Sequence, residues 1–258
     1  MGILFLSNVQ AELLKTKRTA ALWLTLLAAA FVPAINCLIC LQRPDIMMAK
    51  FKVDPWLTFL RFNWKNTASA ILPLFVILLT SLLLQIEYRN ATWKQVYAMP
   101  RKYADIFFSK FLVIQALIIG FLLLFNVFML TSAFVIHSFQ PGYAFYAGAI
   151  PWDTMAIQTT RIYTGILGVA AIQYWLSTRF RNFTIPLGTG MGLWIAGLIL
   201  MDWDKIIYYP YMYTTLFFVT DFSKHPDDLS TLLVSAVACF IVAILLGFRN
   251  IYQLKAKG

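Results

Sequence analysis

Two long apolar runs, Ala68 to Ile86 and Ile106 to Phe134, stand on either side of a basic interruption. That interruption and its rim hold Arg89, Lys94, Arg101, Lys102 and Lys110. Apolar stretches of about 20 residues match the roughly 30 Å hydrocarbon core of a bilayer. Within that core only helices or closed barrels satisfy their own backbone hydrogen bonds, and runs this long point to helices. The positive-inside rule then places the basic interruption in the cytoplasm.

The interruption also has local structure of its own. Thr92-Trp93-Lys94-Gln95 has the form of a capping box, and Pro100 cannot continue a helix. One or two helical turns fit between them, with Trp93, Val96 and Tyr97 sharing a face at i, i+3 and i+4. Two bulky aromatics on a cytoplasmic turn need an apolar partner. Lipid headgroups and the surface of another protein both qualify.

Composition agrees with a membrane protein. Of 258 residues, 60% are hydrophobic and only 12% charged, with a mean hydropathy of +0.73. A soluble domain carries roughly twice that charged fraction. The net charge of +10 sits at the ends of apolar runs rather than on one patch. That pattern fits membrane orientation and anionic lipid, and excludes nucleic acid as the expected partner.

The chain therefore reads as one all-α integral membrane domain over residues 1–258. Six spans are expected at about Thr19–Leu41, Ala68–Tyr88, Ile106–Val135, Met155–Ser177, Phe183–Met201 and Leu229–Phe248. The first is too long for a signal-peptide core of about 7–15 residues, so it is read as an uncleaved span. Before it, residues 3–18 form an amphipathic stretch in which Phe5, Val9 and Leu13 recur near helical spacing. Such a segment lies in the membrane interface. Both termini are expected inside. Residues 137–154 lack Lys and Arg, residues 202–228 carry five aspartates, and the tail ends with Arg249, Lys255 and Lys257. Small residues in the fourth and fifth spans (Gly165, Gly168, Ala171; Gly188, Gly192, Ala196) are expected where helices approach closely. The short apolar piece 216–219 follows a tyrosine-rich stretch and cannot cross.

One connection breaks the orientation rule. Residues 42–67 are expected outside, yet carry Arg43, Lys50, Lys52, Arg61 and Lys65 against Asp45 and Asp54. Trp56, Phe59, Leu60 and Trp64 form a stripe suited to an interfacial helix, serving either as a packing anchor or as a lip that gathers substrate. Arg161 is the one charge well inside a span. It either snorkels to headgroups or lines a pathway. Trp56, Trp64 and Arg161 are thus the candidates for a substrate route.

Catalytic chemistry is hard to find. There is no Gly-x-x-x-x-Gly-Lys-Ser/Thr loop for nucleotide phosphates. Cys37, Cys40 and Cys239 lie within spans as small packing residues, and no metal set is expected. His137 and His225 fall in loops. An intramembrane enzyme acting on lipid would need convergent acids, bases or a metal at membrane depth, and no such cluster is visible.

The residues Glu87, Asn90, Thr92-Trp93-Lys94-Gln95-Val96, Met99-Pro100-Arg101 and Ser109-Lys110-Phe111 carry a family resemblance. In this order they resemble the loop after the second span of ABC-2-type permeases, within them the lantibiotic-immunity and bacitracin-resistance kind. Arg101-Lys102-Tyr103 stands where that pattern has a small residue and Arg. The resemblance implies an N-terminal elbow helix and a coupling loop over residues 89–105 that docks on a separate ATP-binding subunit. Glu87, Arg89, Trp93, Lys94, Val96, Tyr97 and Pro100 are the contact residues it implies. ATP and Mg²⁺ would be bound by that partner, with no cofactor in this chain. It also implies a second permease copy or a sister permease, and a bacterial plasma (inner) membrane location. The expected function is export of an antimicrobial or lantibiotic-like amphipathic peptide. A membrane adaptor that docks a cytoplasmic partner without transport remains the alternative.

Overall fold

A computed structural model describes residues 2–17, 19–89, 103–145, 148–180, 182–222 and 226–256, and no strand occurs among them. The helices are α1 (Gly2–Thr16), α2 (Ala20–Gln42), α3 (Pro44–Lys50), α4 (Pro55–Asn66) and α5 (Leu72–Arg89). They continue as α6 (Tyr103–Phe139), α7 (Trp152–Arg179), α8 (Thr184–Ile199), α9 (Tyr213–Val219) and α10 (Pro226–Ala256). Several start where capping chemistry dictates. Thr19 accepts a hydrogen bond from the Ala21 N–H, at 3.3 Å. Asp54 accepts one from the Leu57 N–H at 2.8 Å, with Pro55 at the first helical position.

Among the described residues four helical stretches are long and apolar enough to cross a membrane: Ala20–Gln42, Pro55–Gln85, Tyr103–Phe139 and Asp227–Asn250. The remaining two expected spans each meet one criterion. α7 has 28 residues, but Gln158, Thr159, Thr160, Arg161 and Thr164 dilute its apolar character. α8 is apolar but has 16 residues, about 24 Å at 1.5 Å per residue, short of a roughly 30 Å core.

The second span differs most from expectation. Its helix begins at Pro55 rather than Ala68, because α4 passes into α5 through a π-helical segment, Thr67–Ile71. Side chains from other elements accompany this wider turn. Thr214 Oγ1 donates to the Ala68 carbonyl at 2.8 Å, and Trp194 Nε1 donates to the Ser69 carbonyl at 3.1 Å. The aromatic stripe of α4 also faces protein rather than lipid. Trp56 is 5% exposed and Trp64 1%. Trp56 and Phe59 meet Phe145 edge-on at 5.2 and 5.4 Å, and Phe51 joins Tyr143 at 5.5 Å. Beside them Asn36 Nδ2 donates to Asn63 Oδ1 at 2.9 Å, pinning α2 to α4.

α7 stands at the centre, with α5 and α10 against it, while α2 pairs with α6. Close approach uses glycine. A Cβ at Gly165 would lie 2.9 Å from Phe217, and one at Gly168 would lie 3.2 Å from Cys239. On α8 the inward glycines are Gly190 and Gly197, whereas Gly188 and Gly192 have open space before them. The segment leading to α9 tucks against α7 and α8, burying Tyr211, Met212, Tyr213, Thr214 and Thr215. Outward, Trp23, Leu27, Leu123, Phe134, Val234 and Leu245 are each at least 60% exposed. So much exposed apolar surface on span helices suits hydrocarbon, not water.

Candidate functional site

The expected coupling loop divides between described and undescribed residues. Trp93, Lys94, Val96, Tyr97 and Pro100 lie outside the described residues. Glu87 and Arg89 stand on the last turn of α5, where the backbone alone is described. The structure does define the stems that carry the loop.

The stem that leaves the loop is the first turns of α6, and three sets of contacts fasten it. Lys110 is buried, with its side chain 8% exposed, and its Nζ lies 3.0 Å from Glu12 Oε2 on α1. Lys15 reaches the other oxygen of the same carboxylate at 2.7 Å. Next to Lys110, Ser109 is buried and donates to the Ile106 carbonyl at 3.1 Å, closing the turn on itself.

Aromatic rings fasten the opposite side. Phe107 packs on Tyr174 of α7 at 4.9 Å and on Phe248 of α10 at 5.6 Å. Phe111 meets Tyr174 at 5.4 Å and stacks near Phe240 at 5.9 Å. Tyr174 Oη donates to the Phe107 carbonyl at 2.8 Å, so the buried phenol is hydrogen-bonded as buried polar groups require. The stem is therefore joined to α1, α7 and α10 at once.

The electrostatics of Glu12 follow from this setting. Burial pushes its carboxyl upward, but the Lys110 charge and the bond to Lys15 outweigh burial. The net result holds it below the usual carboxylate value. Between α1 and the two stems lies a small, partly open cleft, with Glu12, Thr16 and Lys110 meeting Leu83, Leu84 and Ile114. α1 turns Asn8 and Thr16 inward on the same face as Glu12, while Leu6 and Leu14 point outward, each 62% exposed. An amphipathic helix that buries its polar stripe and exposes leucines is built for an apolar surrounding.

Sequence reasoning missed Glu12. A signal was available: Asn8, Glu12 and Thr16 repeat at i, i+4 and i+8, and Glu12 is the one acid in the first 44 residues. The other expected site residues do not converge. Arg161 is half-buried on α7 and makes no ion pair among the described residues. Trp56 and Trp64 belong to the aromatic core under α4, and their indole N–H groups have no hydrogen-bond partner there.

Among the described residues no group of three His, Cys, Asp or Glu side chains is placed to hold a metal ion. The stems, α1 from Asn8 onward and the central helix α7 all fall within a stretch that matches a family model. The model is that of the ABC-2 family transporter protein, and residues 8–197 match it. Neither curated proteins nor solved structures give a match to the chain. With most of its residues covered, including both stems, the chain belongs to the ABC-2 family of transporter proteins.

Proposed function

We propose that this chain is the permease half of an ATP-driven exporter, with ATP and Mg²⁺ bound by a separate ATP-binding subunit. The observation that carries the reading is the fastening of the α6 stem. Lys110 ties it to α1, and Phe107 and Phe111 tie it to α7 and α10. A push on residues 89–105 then moves several helices together, since close-packed interiors transmit strain instead of absorbing it. In this reading Glu87, Arg89, Trp93, Lys94, Val96, Tyr97 and Pro100 contact the ATP-binding subunit. α1 is the elbow, both termini are cytoplasmic, and α7 and α8 complete six spans. A second copy or a sister permease supplies the other half of the pathway in the bacterial plasma membrane. The cargo is an amphipathic peptide of the antimicrobial or lantibiotic-like class, with Arg161 facing its route.

Co-reconstitution tests the reading. The chain and the ATP-binding protein encoded beside it are placed in vesicles with a labelled cationic amphipathic peptide. An exporter couples ATP turnover to peptide movement across the bilayer. An adaptor binds the ATP-binding protein but moves nothing, and that result rejects export.

A further inference from the structure

We infer that the outward face of α4 is a binding site for an anionic phospholipid, formed by Arg61, Lys65 and Phe62. These three side chains are exposed and lie within one sector of the helix, with Arg61 and Lys65 at i and i+4. The opposite sector, Trp56, Phe59, Leu60 and Trp64, is buried in the aromatic core. The helix therefore holds its cations in fixed positions. Among the described residues neither Arg61 nor Lys65 has an ion-pair partner. The nearest acid in sequence, Asp54, is occupied in capping α4.

Depth along the helix identifies the ligand. α4 and α5 are one continuous helix, so Lys65 and Gln85 are separated by 20 residues, or about 30 Å, the thickness of a hydrocarbon core. Lys65 thus sits at one boundary of the core when Gln85 sits at the other. Arg61 lies one turn further out, about 6 Å, in the headgroup layer. A cationic pair at that depth matches a lipid phosphate, and Phe62, next to Arg61, lies in the same headgroup layer, where aromatic rings anchor. This also accounts for two of the five cations in the connection that breaks the orientation rule, because Arg61 and Lys65 meet lipid anions instead of signalling a cytoplasmic side. Binding requires only that Pro55–Gln85 crosses the membrane. The N-in arrangement of the proposed function decides which leaflet supplies the lipid.

The test uses the full chain in neutral detergent, titrated with short-chain phosphatidylglycerol and phosphatidylcholine and read by retained lipid in native mass spectrometry. The expected result is a preference for phosphatidylglycerol that weakens with added salt. The variant with both Arg61→Gln and Lys65→Gln should lose about thirtyfold of that preference, about fivefold per residue. Exchanging the two cations, Arg61→Lys with Lys65→Arg, should retain it, as should Lys205→Gln elsewhere on the surface. A salt-independent preference in the unaltered chain overturns the inference, and so does a preference that survives the double substitution. Displacement of the lipid by inorganic phosphate at equal concentration also overturns it, since the site would then bind free anion. None of these results bears on peptide export, which is read separately from ATP-driven movement.

Discussion

Lys110 Nζ lies 3.0 Å from Glu12 Oε2, although 98 positions separate the two residues in the chain. The pair joins the amphipathic N-terminal helix to the stem of the basic loop. Removing one partner of a buried ion pair costs more than the pair itself contributes, because the survivor is left desolvated. Lys110→Ala should therefore destabilise the protein by about 2–3 kcal/mol, below the 3–5 of a fully buried pair because Lys15 remains beside Glu12. Replacing both residues, with Glu12→Gln and Lys110→Ala, should cost less than the sum of the same two single changes. Denaturation in detergent across the double-mutant cycle measures this. Additive effects would show that the two side chains do not act together.

Acid should loosen α1. The Glu12 carboxyl titrates lower in the folded chain than its ordinary value of 4.5. A depressed carboxylate contributes stability above its unfolded pKa, and that contribution is lost as pH falls through the folded value. Proteolysis within α1 should accelerate below about pH 4.5, approaching the fast rate once pH passes the folded value. Glu12→Gln should cleave at the fast rate at every pH. A pH dependence that persists unchanged in Glu12→Gln would assign the effect to another group.

Two glycines on α8 should respond oppositely to a methyl group. At Gly190 a Cβ would run into the Gln173 amide and lie 2.8 Å from Ile77 Cγ2. The Gln173 amide also donates to Tyr211 Oη at 2.7 Å, so displacing it breaks a buried hydrogen bond. Gly190→Ala should cost about 1–3 kcal/mol from overpacking. Gly188→Ala, with nothing within 4 Å, should leave the melting temperature unchanged or raise it.

These glycines also show where sequence reading stops. Their spacing says that α8 has small residues on more than one face, but not which face meets a neighbour. The contacts of Gln173 and Ile77 decide that Gly190 is inward. The same holds for Trp56 and Trp64. Periodicity identified their stripe as apolar, yet an apolar face fits lipid and protein equally well. The approach of Phe145, 89 positions from Trp56 in the chain, is a tertiary event invisible to a local pattern. Apolar runs were legible because the bilayer sets their length directly, and helices lie over the expected stretches, four of them, among the described residues, long and apolar enough to cross. The start of the second was not, because Arg61 and Lys65 interrupt hydropathy without interrupting the helix. In the candidate site, Lys110 stood out as part of a motif, whereas its partner Glu12 became evident only through folding.

Orientation can be read by labelling single cysteines in a chain whose natural thiols, Cys37, Cys40 and Cys239, have been replaced. An impermeant reagent added to intact cells should modify cysteines at Ser138 and Asp204. It should spare those at Gln95 and Asn182. Ser138, Asn182 and Asp204 are exposed in the folded chain, so burial does not explain a difference among them. Modification at Gln95 from outside would reverse the proposed topology.

In the proposed mechanism the basic loop transmits ATP-driven motion into the helices, and Trp93→Ala removes the anchor of that coupling. Tryptophan anchors dominate protein contacts, and truncating one typically costs on the order of 2 kcal/mol or more, about thirtyfold in affinity. The measurement is binding of the ATP-binding subunit and its ATPase rate with and without the permease in proteoliposomes. Trp93→Ala should insert normally, bind the subunit about thirtyfold more weakly and lose the stimulation. Trp203→Ala, an exposed tryptophan expected on the other side of the membrane, should behave as the unaltered chain. Full binding and full stimulation by Trp93→Ala would contradict the account and leave the tryptophan as a headgroup anchor.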